Sequence, residues 1–470
     1  MKQIIQYQKT GEMKVDELPI PLCREGWVLV KNHFSLISSG TEKTSVETAQ
    51  ASMIGKAKSR PDLVKQVMQN VKKEGFKATY DKVKTRLDSY KELGYSCAGV
   101  VIESGVDEFA QGDFVACAGA TANHSEYVLV PKKLCAKVPA GVTMEEASFT
   151  TLGAIALQGI RQAELKIGES VAVIGLGLLG LITVQLAKIS GCNVIGLDVN
   201  DANFDIAHKL GCDKCLLSND ESIEIINNYT KGIGTDAVII TAGTKSNEPV
   251  ELAINYSRKK SKVVIVGAVG MDIPRSPFYE KELDLRISCS YGPGRYDTNY
   301  EEFGIDYPIG YVRWTENRNM QSILELMRSN KLDVKKLITH RIKIEDGLKA
   351  YDIITGKENE KYLAVIIEYE REEELIKRKI EIKEHNAGIR KSGNNNVGFI
   401  GAGNFAQSYL LPPLKEGGAN FIGVCTSEPV NAKSVGSKFG FEYCTTDYKE
   451  IINNDNIDTI FIATRHDSAG

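Results

Sequence analysis

One stretch, from Ser170 to Asp198, constrains the fold of this chain more than any other. A short apolar run predicts a buried strand, and it is followed by a glycine-rich turn, an apolar helical stretch and a second apolar run. The residues of the turn are Gly175, Leu176, Gly177, Leu178, Leu179 and Gly180. Strand, helix and strand in this order predict the βαβ unit of a doubly wound parallel sheet.

The three glycines of this turn each meet a separate requirement of a dinucleotide site. Gly175 allows a tight turn, Gly177 removes a side chain where the backbone approaches a pyrophosphate, and Gly180 lets helix and strand pack closely. Asp198 stands where a carboxylate accepts hydrogen bonds from the ribose hydroxyls. Because a carboxylate repels a 2′-phosphate, NAD(H) is favoured and NADP(H) less so. The alternative is a glycine-rich turn in an α/β domain without a ligand.

Composition excludes several classes of function. The formal net charge is −3, so bulk electrostatics argue against a nucleic-acid partner. The first residues do not include the apolar core of a secretory signal peptide. No apolar run approaches the length of about 20 residues that is needed to span a bilayer. We therefore expect a cytoplasmic protein of two or three domains with no membrane partner. The ten cysteines are scattered, which indicates reduced core thiols, and the single CxxC, Cys212 to Cys215, lacks the companions of a metal or redox site.

Several segments carry a family resemblance. Residues 34–42, 94–101, 112–116 and 126–131, with the turn described above, resemble the medium-chain dehydrogenases of the zinc alcohol dehydrogenase superfamily. The resemblance runs to about Tyr369. It implies a GroES-like β-rich catalytic domain (1–135, with a helical insert at 43–90), a Rossmann domain of the doubly wound parallel type (136–290) and a return to the catalytic domain (291–369). In that family, the corresponding strand ends approach the nicotinamide and ribose. The resemblance therefore implies that Thr241, Val266 and Gly267 of this chain contact the cofactor.

The departures from this family concern zinc. Where its members hold a catalytic zinc, this chain has Ser39 in place of cysteine, Tyr95 in the Gly-His-Glu motif and Thr150 or Thr151 at the third position. Neutral hydroxyls are poor zinc ligands, and the cysteine-rich lobe of a structural zinc is missing, so we expect no zinc.

Without a metal, a side chain must handle the alcohol proton. Thr41 matches the proton-relay hydroxyl of the zinc enzymes, and Ser39 and Tyr95 are expected to face the same cavity. Tyr95 is the candidate donor to a carbonyl oxygen. His124 is either a relay or a structural hydrogen-bond donor.

Two further segments concern the substrate. Residues 51–90 hold ten lysines and arginines against four acids, and they predict helices from Pro61 and over Phe76 to Leu87. The helical hairpin formed by these residues is either a solvated surface or a basic cap that attracts an anionic substrate.

Residues 291–318 combine aromatic rings with arginines. The candidate substrate residues there are Arg295, Tyr296, Arg313 and Trp314. The alternatives are that this segment forms a subunit interface or a plain surface. We expect the protein to be a homo-oligomer. This segment also resembles the bi-domain oxidoreductases of bacterial polysaccharide clusters.

A second glycine-rich fingerprint begins at Val397, after a charge-dense linker (370–396). Residues 397–470 resemble the N-terminal half-sheet of the Gfo/Idh/MocA oxidoreductases, without the substrate domain. We expect an incomplete Rossmann-like domain of a longer chain, able to bind a nucleotide weakly but not to catalyse. Cys425 stands near the place of the ribose-binding acid, so the nucleotide preference stays open.

These features predict a zinc-independent, NAD(H)-dependent oxidoreductase acting on a sugar-like or carboxylated alcohol or carbonyl, in polysaccharide metabolism. A quinone or enoyl reductase is the second hypothesis. A non-catalytic NAD-binding scaffold or sensor is the third.

Overall fold

The computed structural model describes residues 1–52, 55, 61–371, 376–382 and 395–464. The first part of the chain is mostly β-structure. Its elements are β1 (Lys2–Tyr7), β2 (Met13–Glu17), β3 (Trp27–Ile37), α1 (Ser39–Gln50), α2 (Pro61–Glu74), α3 (Phe76–Leu87), β4 (Tyr90–Glu92), β5 (Ser96–Ser104), β6 (Phe114–Ala118), β7 (Tyr127–Pro131) and β8 (Cys135–Lys137). Strands β2, β1 and β4 form a small antiparallel sheet, whereas β3, β5, β6, β7 and β8 belong to a larger one.

The insert between β3 and β4 is helical. The helix predicted over Phe76 to Leu87 is confirmed as α3, and α2 begins at Pro61, because proline is tolerated in the first turn of a helix. Residues 53–54 and 56–60 lie outside the described residues. Whether this insert is a basic cap or a solvated surface stays a prediction.

The middle of the chain folds as an α/β unit. Its elements are α4 (Met144–Ala147), α5 (Thr150–Ala163), β9 (Ser170–Ile174), α6 (Leu178–Ile189), β10 (Asn193–Asp198), α7 (Phe204–Lys209), β11 (Lys214–Leu217), α8 (Glu221–Tyr229), β12 (Thr235–Ile240), α9 (Glu248–Tyr256), β13 (Ser257–Ile265), α10 (Arg275–Lys281) and β14 (Asp284–Ile287). The six strands are parallel in the order β11-β10-β9-β12-β13-β14. Helices cover both faces, and the central strands β9, β10 and β12 are accordingly near-continuous buried apolar runs. This is the doubly wound order, and it confirms the predicted fold class.

The chain then returns to the first sheet. The returning elements are α11 (Thr298–Glu301), α12 (Glu316–Arg328), β15 (Ile338–Lys343), α13 (Gly347–Thr355) and β16 (Ala364–Glu368). Strand β16 pairs antiparallel with β3 and parallel with β15. The seven-stranded sheet therefore combines residues more than 300 positions apart.

A second Rossmann-type sheet follows. Its elements are β17 (Lys379–Glu381), β18 (Asn396–Ile400), a π-helical turn (Ala406–Leu410), α14 (Leu411–Glu416), β19 (Asn420–Cys425), α15 (Pro429–Phe439), β20 (Tyr443–Thr445), α16 (Lys449–Ile452) and β21 (Thr459–Ile462). The strand order is β17-β20-β19-β18-β21, with β17 antiparallel to the rest. Arg378 pairs with Glu103 of β5, and the Thr446 hydroxyl donates to the carbonyl of Ile20, so this unit contacts the first domain.

Three predicted segments fall wholly or partly outside the described residues. They are the stretch before Pro61, most of the linker 370–396, and the last residues, 465–470. No helix among the described residues combines the length and apolarity that a bilayer crossing requires.

Candidate active site

The glycine-rich turn joins β9 to α6 at the carboxyl edge of the parallel sheet. Gly175 has a φ of +97°, which favours glycine, and a Cβ there would come within 2.8 Å of the Ala242 amide nitrogen. A Cβ on Gly180 would lie 1.8 Å from the Gly175 carbonyl oxygen. Around Gly177, in contrast, the space is open for 4 Å. The turn therefore packs at its first and last glycines and leaves room for a ligand at the middle one.

The start of α6 provides free backbone donors beside this open space. Gly177 is its N-cap and supplies no side chain, so the first N–H groups of the helix are available to an anion. Leu178 is buried and Leu179 half-buried, which fixes the helix against the core. Asp198 ends β10, and its Oδ2 accepts a hydrogen bond from the Leu176 amide at 2.7 Å. The carboxylate thus lies at the turn, where the sequence predicted a ribose-binding acid.

The other predicted cofactor residues border the same edge. The Thr241 hydroxyl donates to the Gly175 carbonyl at 2.7 Å. A Cβ on Gly267 would lie 2.1 Å from the Ala242 carbonyl oxygen, so the ends of β12 and β13 approach closely. Val266 is half-buried and next to Gly159 of α5. The structure therefore brings the predicted cofactor residues together.

The zinc-ligand positions carry hydroxyl groups. The Tyr95 phenol donates to the Ser38 hydroxyl at 2.6 Å. Burial raises the pKa of Tyr95, and the Glu42 charge acts in the same sense, while the Ser38 and Thr41 hydroxyls oppose both. Ser39, expected beside Tyr95, is half-buried, and Thr41 is exposed. It is thus Ser38 of the serine pair that the phenol contacts.

At the remaining positions of the zinc motifs, the side-chain hydroxyls donate hydrogen bonds to backbone carbonyls. Thr150 donates to Ala147 at 2.7 Å, Thr151 to Cys117 at 3.3 Å, and Ser96 to Ser148 at 2.6 Å. In the described part of the chain, no three histidine, cysteine or acidic side chains lie close enough to hold a metal ion. Neutral hydroxyls that already donate to carbonyls do not suit Zn²⁺, which binds thiolate, imidazole or carboxylate. The residues at these positions do not fit a catalytic zinc.

Behind Ser38 lies a buried polar network centred on Glu42. The Glu42 carboxylate accepts a hydrogen bond from the Ser38 amide at 2.8 Å and from the Tyr351 hydroxyl at 2.5 Å, and it contacts His124 Nε2 at 3.0 Å. The other imidazole nitrogen of His124 lies 2.7 Å from the Ser35 hydroxyl. This network fixes the start of α1 from three sides.

His124 is therefore not placed as a direct contact of the substrate. Its side chain is fully buried, and both ring nitrogens have protein partners. Its predicted role as a relay stays a prediction. Hydrogen bonds lead from His124 to the Glu42 carboxylate and from there to the Ser38 backbone amide, while the Ser38 hydroxyl contacts Tyr95. Sequence reasoning did not select Glu42 or Tyr351, and the only local signal was the acid that follows Thr41.

The residues predicted to contact substrate form two groups. Arg295 pairs with Glu301 at 2.7 Å and covers the ring of the exposed Tyr296 at 4.1 Å. Trp314 is sandwiched between the guanidinium groups of Arg161 at 3.6 Å and Arg313 at 3.9 Å, measured to its ring centroid. Burial lowers the pKa of Arg161 to about 10, and the Arg313 charge adds to this shift. Two cations on one indole favour an anion nearby.

Two buried residues near Arg295, namely Tyr291 and Glu316, were not singled out from the sequence. Glu316 is fully buried, and burial raises its pKa to about 9, with the Glu301 charge adding to the shift and Arg295 opposing it. Burial also raises the pKa of Tyr291. No sequence signal marks Glu316, because it is one of several acids in residues 291–318 and its burial depends on the tertiary fold.

The second fingerprint, at Gly401 and Gly403, repeats the local geometry of the first. Gly401 has a φ of +85°, and a Cβ there would lie 2.7 Å from the Ala463 backbone, whereas the space around Gly403 is open. Strand β19 ends in Cys425, which is followed by Thr426, so no acid stands at the strand end. Its nucleotide preference stays open.

Two families match parts of this chain. Residues 179–304 match the family described as zinc-binding dehydrogenase, and residues 395–469 match the oxidoreductase family with an NAD-binding Rossmann fold. The two matches agree with the two resemblances seen in the sequence.

The chain is also similar to known proteins over about half of its length. An alcohol dehydrogenase of Cupriavidus necator is 26% identical over 240 residues, which are 50% of this chain and 59% of that protein. The D-guloside 3-dehydrogenase of Escherichia coli is 28% identical over 55% of this chain and 72% of that protein. The structure of galactitol-1-phosphate dehydrogenase from Escherichia coli superposes with a TM-score of 0.59 at 19% identity, covering 78% of this chain and 99% of that one. At this identity the structural likeness concerns the fold.

Proposed function

Because the chain belongs to the medium-chain dehydrogenases, with a Gfo/Idh/MocA-type Rossmann domain fused behind them, we propose that it is an NAD(H)-dependent oxidoreductase that works without zinc. Its substrate is a sugar-like or carboxylated alcohol, or the corresponding carbonyl compound. The matched relatives cover about half of this chain.

The observation that carries the proposal is the turn between β9 and α6. The open space at Gly177, the free amides at the start of α6 and the Asp198 carboxylate match the pyrophosphate and ribose of a dinucleotide. The carboxylate favours NAD(H), because a 2′-phosphate beside it would meet a like charge. When bound, the reduced nicotinamide supplies a hydride to a carbonyl carbon.

The proton that balances this hydride comes from Tyr95. In the reductive direction the phenol donates its proton to the carbonyl oxygen, and in the oxidative direction the phenolate accepts the alcohol proton. Burial raises the pKa of Tyr95, so the phenol carries its proton at neutral pH and is available as the donor. The Ser38 backbone amide donates to Glu42, which fixes Ser38, and the Ser38 hydroxyl accepts from the phenol and so orients it. Thr41 is the second hydroxyl near this oxygen.

The positive groups around Trp314 support the substrate class. Arg161 and Arg313 on Trp314 suit a carboxylate or phosphate next to a ring, and they disfavour an apolar quinone. The matched relatives are named for alcohols and sugars, which fits the same class. A cytoplasmic homo-oligomer acting in polysaccharide metabolism completes the proposal.

The test is NADH oxidation by the full chain with a panel of keto-sugars and sugar acids, with and without EDTA. We expect turnover that EDTA does not change, and zinc far below one atom per chain by elemental analysis. A known zinc-dependent alcohol dehydrogenase, inactivated by the same treatment, is the control. Activity lost with EDTA and restored by zinc would disprove zinc independence.

The same panel separates the two other hypotheses. Turnover of quinones or enones instead of sugars would favour a quinone or enoyl reductase. NADH binding without turnover of any compound would favour a scaffold or sensor.

A further inference from the structure

Four buried polar atoms without partners come together near the predicted substrate residues. They are the Tyr291 hydroxyl, the Arg295 Nε and both carboxyl oxygens of Glu316, none of which has a hydrogen-bond partner among the described residues. Tyr291 is 2% exposed and Glu316 is fully buried. Buried polar groups are nearly always hydrogen-bonded, so several orphans in one place indicate a missing polar occupant.

The chain builds this arrangement with a constrained turn. Gly292 and Gly294 have φ values of +121° and +111°, which favour glycine, and they flank Pro293. The Pro293 carbonyl accepts a hydrogen bond from the Glu316 amide at 2.9 Å, so the turn is tied to the first residue of α12. A Cβ on Gly294 would lie 3.1 Å from Glu316 Oε1. The same Cβ would lie 2.5 Å from Cδ1 of the Tyr300 ring, so only glycine lets this turn pack against both Tyr300 and Glu316.

The Arg295 guanidinium is held in place by an ion pair. One edge of the Arg295 guanidinium is held by Glu301 at 2.7 Å, while its Nε is left without a partner. The Arg295 guanidinium carbon lies 5.4 Å from the centre of the Tyr291 ring. The Arg295 Nε, the Tyr291 hydroxyl and the Glu316 carboxyl thus belong to neighbouring residues, and none of them forms a hydrogen bond with another.

The orphaned atoms lie at the border between the two parts of the fold. The Tyr291 hydroxyl is 3.5 Å from the point where a Cβ on Gly119 would stand, and the Gly119 amide donates to the Tyr95 carbonyl at 3.1 Å. Tyr291 follows β14, at the carboxyl edge of the sheet where the cofactor turn also lies. A ligand at the cluster would thus be close to the strand that positions Tyr95.

We propose that Glu316, Tyr291 and Arg295 form a subsite that binds hydroxyl groups of a polyhydroxylated substrate, away from the carbon that exchanges the hydride. A sugar hydroxyl donates to Glu316 and accepts from Arg295 Nε or from the Tyr291 hydroxyl, so each orphan gains a partner. This inference rests on the proposed function and names the feature by which the enzyme selects polyols over simple alcohols. A site built to hydrogen-bond hydroxyls strongly rejects analogues that lack them.

The test compares two ketones that share one ring, cyclohexanone and its pentahydroxy derivative. Steady-state kinetics with NADH are measured for the wild-type chain and for Glu316→Leu and Tyr291→Phe. We expect each variant to raise KM for the pentahydroxy ketone roughly tenfold or more, while kcat/KM for cyclohexanone changes less than about twofold. The matched controls are the exposed residues Glu302→Gln and Tyr311→Phe, which should change neither substrate.

Other outcomes separate the two proposals. If both ketones slow equally in the variants, or if the preference for the hydroxylated ring is unchanged, the subsite is wrong. If neither ketone is reduced, the proposed function fails for this class, and calorimetric titration of the NADH-loaded chain with the pentahydroxy ketone decides the subsite. Binding that Glu316→Leu abolishes supports it, and the absence of binding to the wild-type chain overturns it. Thermal unfolding of each variant verifies that the chain is folded.

Discussion

The pH dependence of stability near α12 follows from the burial of Glu316. Loss of hydration raises the pKa of this carboxyl from 4.5 to about 9. Between these two values the folded chain keeps a proton that the unfolded chain releases. Stability is therefore greatest below the unfolded pKa and falls as the pH rises towards the folded one.

Thermodynamic linkage sets the size of this effect. One pKa unit corresponds to about 1.4 kcal/mol, so the carboxyl lowers the free energy of unfolding by up to about 4 kcal/mol between pH 5 and pH 8. Glu316→Gln keeps the shape of the side chain and removes the ionisation. The stability of the variant relative to the wild-type chain should therefore rise by up to about 4 kcal/mol over the same pH interval.

Urea unfolding at pH 5, 6, 7 and 8 measures this difference. The chain has two tryptophans, and Trp314 lies two positions before Glu316. In a Trp27→Phe background, Trp314 fluorescence reports the unfolding of this region alone. Glu302→Gln, at an exposed position, is the control and should show no such trend. A difference between Glu316→Gln and the wild-type chain that stays constant from pH 5 to pH 8 would refute the reasoning.

Three further predictions concern the cofactor turn and the proton donor. Gly177→Ala should fold normally and lose NADH affinity by tenfold or more, as measured by fluorescence titration. Gly180→Ala should lose about 3 kcal/mol of stability in urea unfolding, because its Cβ meets the Gly175 carbonyl. Asp198→Ala should weaken NADH roughly tenfold and NADPH less, and an equal loss for both would exclude the ribose role. Tyr95→Phe should lower kcat about 100-fold with the Kd of NADH unchanged, and an unchanged kcat would remove the phenol from the mechanism.

The cofactor turn could be predicted because its requirements are local. Gly175, Gly177 and Gly180 lie between two apolar runs, and their spacing indicates, in order, a tight turn, an open space and a close contact. Each of these requirements is met within a few residues. The helix that begins at Pro61 was predictable for the same reason, because Leu63, Val67, Met68 and Val71 follow at helical spacing. The family resemblance added the order of the domains.

The arrangement of the proposed proton donor was predicted only in part. The replacement of zinc ligands by hydroxyls was visible in the sequence, but the pairing of Tyr95 with Ser38 instead of Ser39 depends on how α1 begins. The Glu42 network joins Ser38 to Tyr351, which lies 309 positions beyond Glu42. No local pattern connects such residues, because only the return of the chain to the first sheet brings α13 next to α1.

The sequence by itself determined the doubly wound sheet, the dinucleotide turn and the absence of zinc-binding side chains from the usual positions, since each follows from residue types at short spacing. Tertiary structure alone decided that Glu316 and Tyr291 are buried without partners and that His124 is enclosed. Burial and hydrogen-bond satisfaction are sums over neighbours from distant parts of the chain. They exist only once the sheets have packed.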